Sequence, residues 1–312
     1  MIIRCGTRGS VLALAQTKIV IDALENAHQA LKVERHEIKT LGDRKQGTAA
    51  ASQSDKKDWV YDLELALLNN QIDFAVHSSK DIPHEIEPGT AQLPVLKRGN
   101  PYDAFLGKKI GSDNQRLSLT DLPHGAKVGT ASLRRRAFLL KMRPDLLVVE
   151  FRGNVTTRVQ KLDESEELMG AVMASAGLDR VNIPNLQYES LSSKDMLPAI
   201  NQGILAVQFR ENDEKTKKIL ETIVDPDTHA MWLAERGVAE VLKGDCKSAI
   251  GIFAQCNGKS VILSANVMLP DGSESITAND SAPQTQSYQL GKKIGEQLLE
   301  MGALNIIEKS RG

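Results

Sequence analysis

The chain has 312 residues, of which 41% are hydrophobic and 25% charged, and its formal net charge is −1. This length allows two or three domains with hydrophobic cores, and the near-neutral charge excludes a protein-wide field that would attract nucleic acid or a membrane surface. Aromatic residues make up only 4%, which argues against a stacking platform for single-stranded nucleic acid. With no signal-peptide core and no membrane-length apolar run, we expect a cytoplasmic protein without nucleic-acid or membrane partners.

The first elements predict a parallel sheet. A short strand at Ile2–Cys5 is followed by a turn in which Ser10 is a candidate N-cap. Apolar residues at helical spacing then predict a helix over Val11–Ala27, and alternation predicts a second strand over Val33–Thr40. Strand, helix and strand without a hairpin signal are typical of α/β proteins.

Leu41–Lys57 is polar and rich in Gly, Ala, Ser and Lys, which predicts a mobile loop. A lid over a site and a disordered insertion both fit this composition. The next segment, Trp59–Asn69, has the apolar spacing of a helix and leads into a buried strand.

That strand lies in the stretch Ile72–Pro83. Its apolar first half predicts a buried parallel strand, and its second half places His77, two serines, Lys80 and Asp81 at the strand's end. Ligands bind at the carboxyl ends of strands in open α/β sheets, so this polar cluster is a site candidate. The alternative is a polar connection in which Asp81 only caps or turns the chain.

Three strand–turn–helix units follow a breaker cluster at 99–101. The predicted strands are Ala126–Val128, Leu146–Phe151 and Gly170–Ala174, and each is followed by arginines in or just after the turn. Helix N-termini favour anions, and arginine adds bidentate recognition of carboxylate or phosphate. The pattern predicts an anion site and leaves phosphates, polycarboxylates and sulfated sugars open. Its arginines are Arg134, Arg135, Arg152, Arg158 and Arg180.

The remaining chain predicts a turn and strand at Asn201–Val207 and, after a second breaker at 225–227, a helix over Ala230–Leu242. Two further strands, a turn at Asp271 and Gly272, and a C-terminal helix from about 286 to 301 follow.

Of the three cysteines, Cys246 lies in a polar loop between Lys243 and Lys247. It is either an incidental exposed thiol or a nucleophile or attachment point.

Taken together, these stretches resemble the porphobilinogen deaminase family, also called hydroxymethylbilane synthase. The resemblance runs through nearly the whole chain, and the order and joint presence of its motifs make it specific. Its parts are Thr7-Arg8-Gly9-Ser10, Ala75–Pro83, Asp103-Ala104-Phe105, Val128–Arg135, Arg152-Gly153-Asn154-Val155, Ala176-Gly177-Leu178, Gln202-Gly203 and the loop around Cys246.

The resemblance implies an α/β fold with two doubly wound domains, similar to periplasmic binding proteins, around a cleft, plus a smaller α+β C-terminal domain. The implied divisions are residues 1–99 with 200–221, residues 100–199 and residues 222–312. It also implies a monomer that joins four porphobilinogen units with loss of ammonia, using a dipyrromethane cofactor bound as a thioether to Cys246.

Site residues follow from the same resemblance. Asp81 matches the family's catalytic aspartate, where a carboxylate stabilises the positive charge that develops on pyrrole nitrogens. The matching cofactor-binding positions are Lys80, Asp81, Ser132, Arg134, Arg135 and Cys246, and the substrate-binding positions are Arg8, Ser10, Trp59, Arg152, Arg158 and Arg180. No metal site is implied.

The sequence departs from the family pattern at several positions. Trp59 stands where a stacking Phe is usual, the lid glycines are gone, Leu41 replaces a common arginine, and Asp245 precedes the cofactor cysteine. An alternative function is a non-catalytic protein that binds an anion or a tetrapyrrole in the same cleft. A phosphate-ligand transferase fits the arginines but gives Cys246 no role.

Overall fold

A computed structural model describes residues 1–45, 57–83, 85–111, 115–243 and 248–310. Contacts divide the chain into a first unit, residues 1–99 with 203–232, and a second unit, residues 100–202 with 233–312. The chain therefore leaves the first unit after Gly99, returns at Gly203 and leaves it again after Trp232. The three-domain division expected from the resemblance stays a prediction.

The first unit is built on a five-stranded sheet with the order β2-β1-β3-β12-β4. Strands β1, β2 and β3 are parallel, while β12 runs antiparallel to both β3 and β4. β12, which belongs to the segment that returns at Gly203, therefore lies inside the sheet between β3 and β4. Because it is antiparallel to both neighbours, the sheet is mixed and not purely parallel. The elements are β1 (Ile2–Thr7), α1 (Val11–Ala27), β2 (Lys32–Glu37), α2 (Leu41–Lys45), α3 (Lys57–Leu68), β3 (Phe74–Ser78), β4 (Thr90–Val95), β12 (Leu205–Arg210), α7 (Glu214–Glu221) and the start of α8 (Pro226–Leu242).

The core of this unit explains why the first three residues of β3 are apolar. Helices and neighbouring strands cover both of its faces, so Phe74 and Ala75 are fully buried on opposite sides of the sheet. Polar side chains begin with His77 and Ser78 at the end of β3 and continue in a 3-10 turn at Ser79–Asp81. The fold thus places the predicted polar cluster at a strand's carboxyl end.

The second unit contains another five-stranded sheet, ordered β11-β5-β10-β8-β9, and a three-stranded antiparallel sheet, β13-β14-β15. In the first of these, β8, β9 and β10 are parallel and β5 is antiparallel to β10 and β11. Its elements are β5 (Asp103–Gly107), β6 (Lys109–Ile110), β7 (Gln115–Arg116), β8 (Lys127–Gly129), α4 (Leu133–Met142), β9 (Leu147–Val149), α5 (Val155–Glu164), β10 (Leu168–Ala174), α6 (Ser175–Val181), β11 (Glu189–Leu191), the rest of α8, β13 (Ala249–Asn257), β14 (Ser260–Met268), β15 (Ser275–Pro283), α9 (Ser287–Glu300) and α10 (Ala303–Lys309).

The α/β class is confirmed, and one local prediction is wrong in part. Leu41–Lys57 was expected to be a loop, but Leu41–Lys45 forms α2 and Lys57 begins α3. Asp43 and Thr40 supply the physical reason, since each side chain bonds to the other's backbone N–H at 3.1 and 3.3 Å and nucleates the helix start. The rest of the expected loop, 46–56, lies outside the described residues.

Candidate functional site

The strand end after β3 is held from two sides. The Ser78 hydroxyl lies 2.7 Å from Nε2 of Gln16 on α1, and Nε1 of Trp232 on α8 donates to the Ser79 hydroxyl at 3.1 Å. Gln16, Ser79 and Trp232 are buried, whereas the Asp81 side chain, two residues on, is exposed. A fixed backbone therefore presents an accessible carboxylate, beside the half-buried Lys80.

His77, the last inward-facing residue of β3, reports which charges lie near this strand end. Burial, followed by the charge of Arg8, lowers its pKa to about 4, although Asp81 and Gln208 act in the opposite direction. Arg8 at the end of β1 and Asp81 after β3 therefore act on the same imidazole. Because this imidazole stays neutral near pH 7, it adds no charge to the site.

Arg8 is held by two contacts that the sequence does not predict. Asp43 accepts from its Nη2 at 2.6 Å and its Nε at 3.2 Å, and the guanidinium carbon lies 4.2 Å from the centroid of the Trp59 ring. Burial alone would raise the pKa of Asp43, but Arg8 and Thr40 lower it. Ser10, two residues further on, caps α1 by accepting from the Ala13 N–H at 3.3 Å.

In the second unit, Arg134 and Arg135 share one buried carboxylate. Asp103, which is 0% exposed, accepts from Nη1 and Nη2 of Arg134 at 2.7 and 3.1 Å and from Nε of Arg135 at 2.8 Å. Gln202 adds a fourth bond to Asp103 at 3.1 Å. Burial would raise the pKa of Asp103, but the two arginines hold it well below its usual range.

The arrangement follows from local structure. Ser132 caps α4 by accepting from the Arg135 N–H at 3.4 Å, which places both arginines in the first turn. There their side chains reach back to Asp103 at the start of β5. Nε of Arg134 is buried and has no hydrogen-bond partner among the described residues.

The other three predicted arginines differ in burial. Arg152 is exposed and pairs with Glu150, while Arg158 and Arg180 are half-buried on α5 and α6. Burial lowers the pKa of Arg180 to about 10, and the charge of Asp179 opposes only part of that shift.

Comparison with known proteins decides the family. The family model described as porphobilinogen deaminase, dipyrromethane cofactor-binding domain, matches residues 3–218, and the model of its C-terminal domain matches residues 230–300. The chain belongs to the porphobilinogen deaminase family. A porphobilinogen deaminase from Desulforamulus reducens is 37% identical over 309 residues, which cover 99% of this chain and 98% of that protein.

Solved structures give a weaker likeness. An amino-acid transporter extracellular-binding protein from Bacillus subtilis covers 73% of this chain and 94% of its own, with 13% identity and a TM-score of 0.41. An arginine-specific periplasmic binding protein from Salmonella typhimurium covers 73% and 93%, with 13% identity and a TM-score of 0.39. Scores this low carry no functional assignment.

Cys246, which the sequence predicts to carry the cofactor, lies outside the described residues. Of the other two thiols, Cys5 is buried in β1, where burial raises its pKa, and Cys256 is half-buried on β13. A raised thiol pKa makes Cys5 a poor nucleophile at neutral pH.

The second unit has a feature that suits a cofactor bearing carboxylates. The buried Nε of Arg134, which has no hydrogen-bond partner among the described residues, favours an anionic ligand. Across the described ranges, no cluster of three or more His, Cys, Asp or Glu side chains could hold a metal ion. Within the same ranges, no helix combines the length and apolarity needed to cross a membrane.

Sequence reasoning missed the residues that hold the predicted ones. These are Gln16, Asp43, Asp103, Gln202 and Trp232. Asp103 carried one signal, since Asp103-Ala104-Phe105 belongs to the resemblance, but nothing in its spacing indicates an arginine partner 31 residues away.

Proposed function

We propose that this chain is a hydroxymethylbilane synthase, a transferase that joins four porphobilinogen units with loss of ammonia into a linear tetrapyrrole. Family membership over almost the whole length supports this activity. The dipyrromethane group, when bound to Cys246, supplies a primer that stays attached while the chain grows. Lys80 in the first unit and Ser132, Arg134 and Arg135 in the second are its proposed binding residues.

The observation that carries the proposal is the match of the two porphobilinogen deaminase family models, over residues 3–218 and 230–300. Arg180 agrees with it, since burial lowers the pKa of its guanidinium to about 10 although the charge of Asp179 raises it. Porphobilinogen carries two carboxylates, so each added ring brings the anions that such a guanidinium favours. Arg8, Ser10, Trp59, Arg152 and Arg158 are the other proposed substrate-binding positions.

Asp81 is the proposed catalytic residue. Its carboxylate is exposed at the end of a strand that Gln16 and Trp232 hold in place. A fixed carboxylate can stabilise the positive charge that develops on a pyrrole nitrogen of the substrate and can accept or return its proton. An amide of the same size could do neither.

Intact-mass measurement of purified protein tests the cofactor. Protein made in cells that supply porphobilinogen should exceed the sequence mass by two pyrrole units, and Cys246→Ser should abolish the increment. Cys256→Ser is the matched control and should keep it, since this half-buried thiol lies on β13. A wild-type mass equal to that of the bare chain, even after incubation with porphobilinogen, would contradict the proposal.

Turnover is tested directly by the loss of porphobilinogen and the release of ammonia. The proposal includes a cytoplasmic monomer that binds neither nucleic acid nor membrane. Light scattering on the purified protein checks the monomer, and a dimer mass would contradict that part alone.

A further inference from the structure

The indole of Trp59 is in close contact with Gly42. A Cβ built on Gly42 would lie 2.3 Å from Cδ2, 2.4 Å from Cε3 and 2.7 Å from Cε2 of the indole. Cδ2 and Cε2 are the carbons shared by the two rings, and bonded atoms surround them in the plane of the indole. Gly42 can therefore approach them only through a face of the ring.

Arg8 also lies against a face. Its guanidinium carbon is 4.2 Å from the ring centroid, a distance that in-plane contact with the ring edge cannot reach. Arg8 and Gly42 therefore both lie against the Trp59 indole. The protein thus already covers ring surface that stacking on a substrate ring would use.

Asp43 fixes a second side of Arg8. The hydrogen bonds of Arg8 to Asp43 use Nε and Nη2, and the backbone of Asp43 is itself fixed by the cap with Thr40. With one face on Trp59 and one edge on Asp43, the guanidinium has a single orientation. Among the described residues, no hydrogen bond uses Nη1, which leaves the Nη1 end of Arg8 for a ligand carboxylate.

We propose that Trp59 is a positioning residue for Arg8, and that it does not stack on a pyrrole ring of the substrate. The proposal rests on the proposed function, since it assigns how this site binds a carboxylate of porphobilinogen. It also explains the departure at this position. An indole offers a larger and more electron-rich face to a cation than the usual phenyl ring.

A double-mutant cycle on the purified holoenzyme tests the proposal. Trp59→Leu should lower kcat/KM for porphobilinogen by roughly 2- to 30-fold, the range for loss of a cation–π contact, and mainly through KM. In an Arg8→Leu background, Trp59→Leu should cause no further loss, because its effect acts through Arg8. Losses that multiply would show an independent contact with substrate and would overturn the proposal.

Two variants keep the cycle interpretable. Tyr61→Leu, on the same helix, removes an exposed ring with a lysine 5.6 Å from its centroid and should leave kcat/KM unchanged. Should Trp59→Leu fail to fold, Gly42→Ala replaces it, because the added Cβ displaces the indole. A Gly42→Ala loss that multiplies with that of Arg8→Leu would overturn the proposal in the same way.

Fluorescence separates this proposal from the proposed function. The chain has two tryptophans, so Trp59→Phe reports on Trp232 alone. Arg8→Leu should change the emission of the wild type and leave that of Trp59→Phe unchanged, without any turnover. Unchanged wild-type emission would overturn the contact, whereas a wild type that does not consume porphobilinogen would overturn only the proposed function.

Discussion

Replacing Asp103 by Asn should destabilise the second unit strongly. Asp103 accepts four hydrogen bonds, two from Arg134, one from Arg135 and one from Gln202, and it is fully buried. Asn keeps the size but removes the charge, and its NH₂ group faces cationic donors. Breaking a buried ion pair by removing one partner costs about 3–5 kcal/mol.

Arg134→Leu should cost less, about 1–3 kcal/mol, although it removes two of the four bonds. Asp103 then keeps Arg135 and Gln202, so its charge remains paired. The ratio of the two effects is therefore informative. If the shared carboxylate is what makes two neighbouring buried arginines tolerable, its loss must exceed the loss of either arginine.

Thermal unfolding measures the difference. For a unit of this size 1 kcal/mol shifts Tm by about 2–4 °C, so Asp103→Asn should lower Tm by about 6–20 °C. Asp280→Asn is the matched control, because its pair with Lys293, at 2.7 Å, is exposed and the loss of such a pair should leave Tm almost unchanged.

The pH dependence gives a second readout. The arginines depress the pKa of Asp103, so its contribution is fully present above the unfolded pKa of about 4 and is lost as pH falls toward the folded value. The wild type should lose stability below pH ~4 more steeply than Asp103→Asn. A Tm for Asp103→Asn close to that of the wild type, or a larger loss for Arg134→Leu, would refute the reasoning.

Three further outcomes follow from the same contacts. Asp81→Asn should reduce turnover about 10²–10⁴-fold with little change in Tm. If Asp81→Asn turned over as fast as Asp22→Asn, a control at an exposed carboxylate, the catalytic role would be contradicted. Gly272→Ala should lower Tm, because at a φ of +78° its Cβ would lie 2.7 Å from the Ala137 carbonyl oxygen, and an unchanged Tm would show that this turn moves freely. His77 should titrate at about pH 4 by NMR. Because the pKa of His77 is lower in the folded state, the free energy of unfolding should fall by about 3 kcal/mol as pH drops from 6.5 to 4. His77→Gln should not show this fall. A midpoint near pH 6.5 in the NMR titration of His77 would contradict the prediction.

Several elements could be predicted from the sequence because their signals are local. The helix Val11–Ala27 begins after Ser10, whose side chain caps it as expected, and the helical spacing of its apolar residues predicted its length. Ser132 caps Leu133–Met142 in the same way, a role that was not predicted for it. By contrast, Ser275–Pro283 forms a strand although its sequence is polar, because all nine of its residues pair with Ser260–Met268. Such an edge strand depends on its partner more than on its own pattern.

The residues of the candidate site also divide into those with a local sequence signal and those that depend on distant partners. Arginines after successive strands could be predicted, since strand ends and turns are marked in the sequence. The carboxylates that hold them could not, because Asp43 lies 35 residues from Arg8 and Asp103 lies 31 residues from Arg134. The sequence therefore predicted which groups are present but not which faces of them the protein already occupies. For Trp59, that omission changes the proposed role.

Comparison of two arginine networks separates a structural arginine from one that is proposed to bind a ligand. Arg210 donates from Nη1 to the carbonyls of Leu67 and Ile72, and from Nη2 to Asp73 and Asp213. The Arg134 side chain is more deeply buried, at 4% exposed against 13% for Arg210, yet its Nε has no partner among the described residues. An unmatched buried N–H costs about 1–3 kcal/mol, which folding alone gives no reason to retain. A ligand acceptor would remove that cost on binding, so the unmatched donor is what separates Arg134 from the purely structural Arg210.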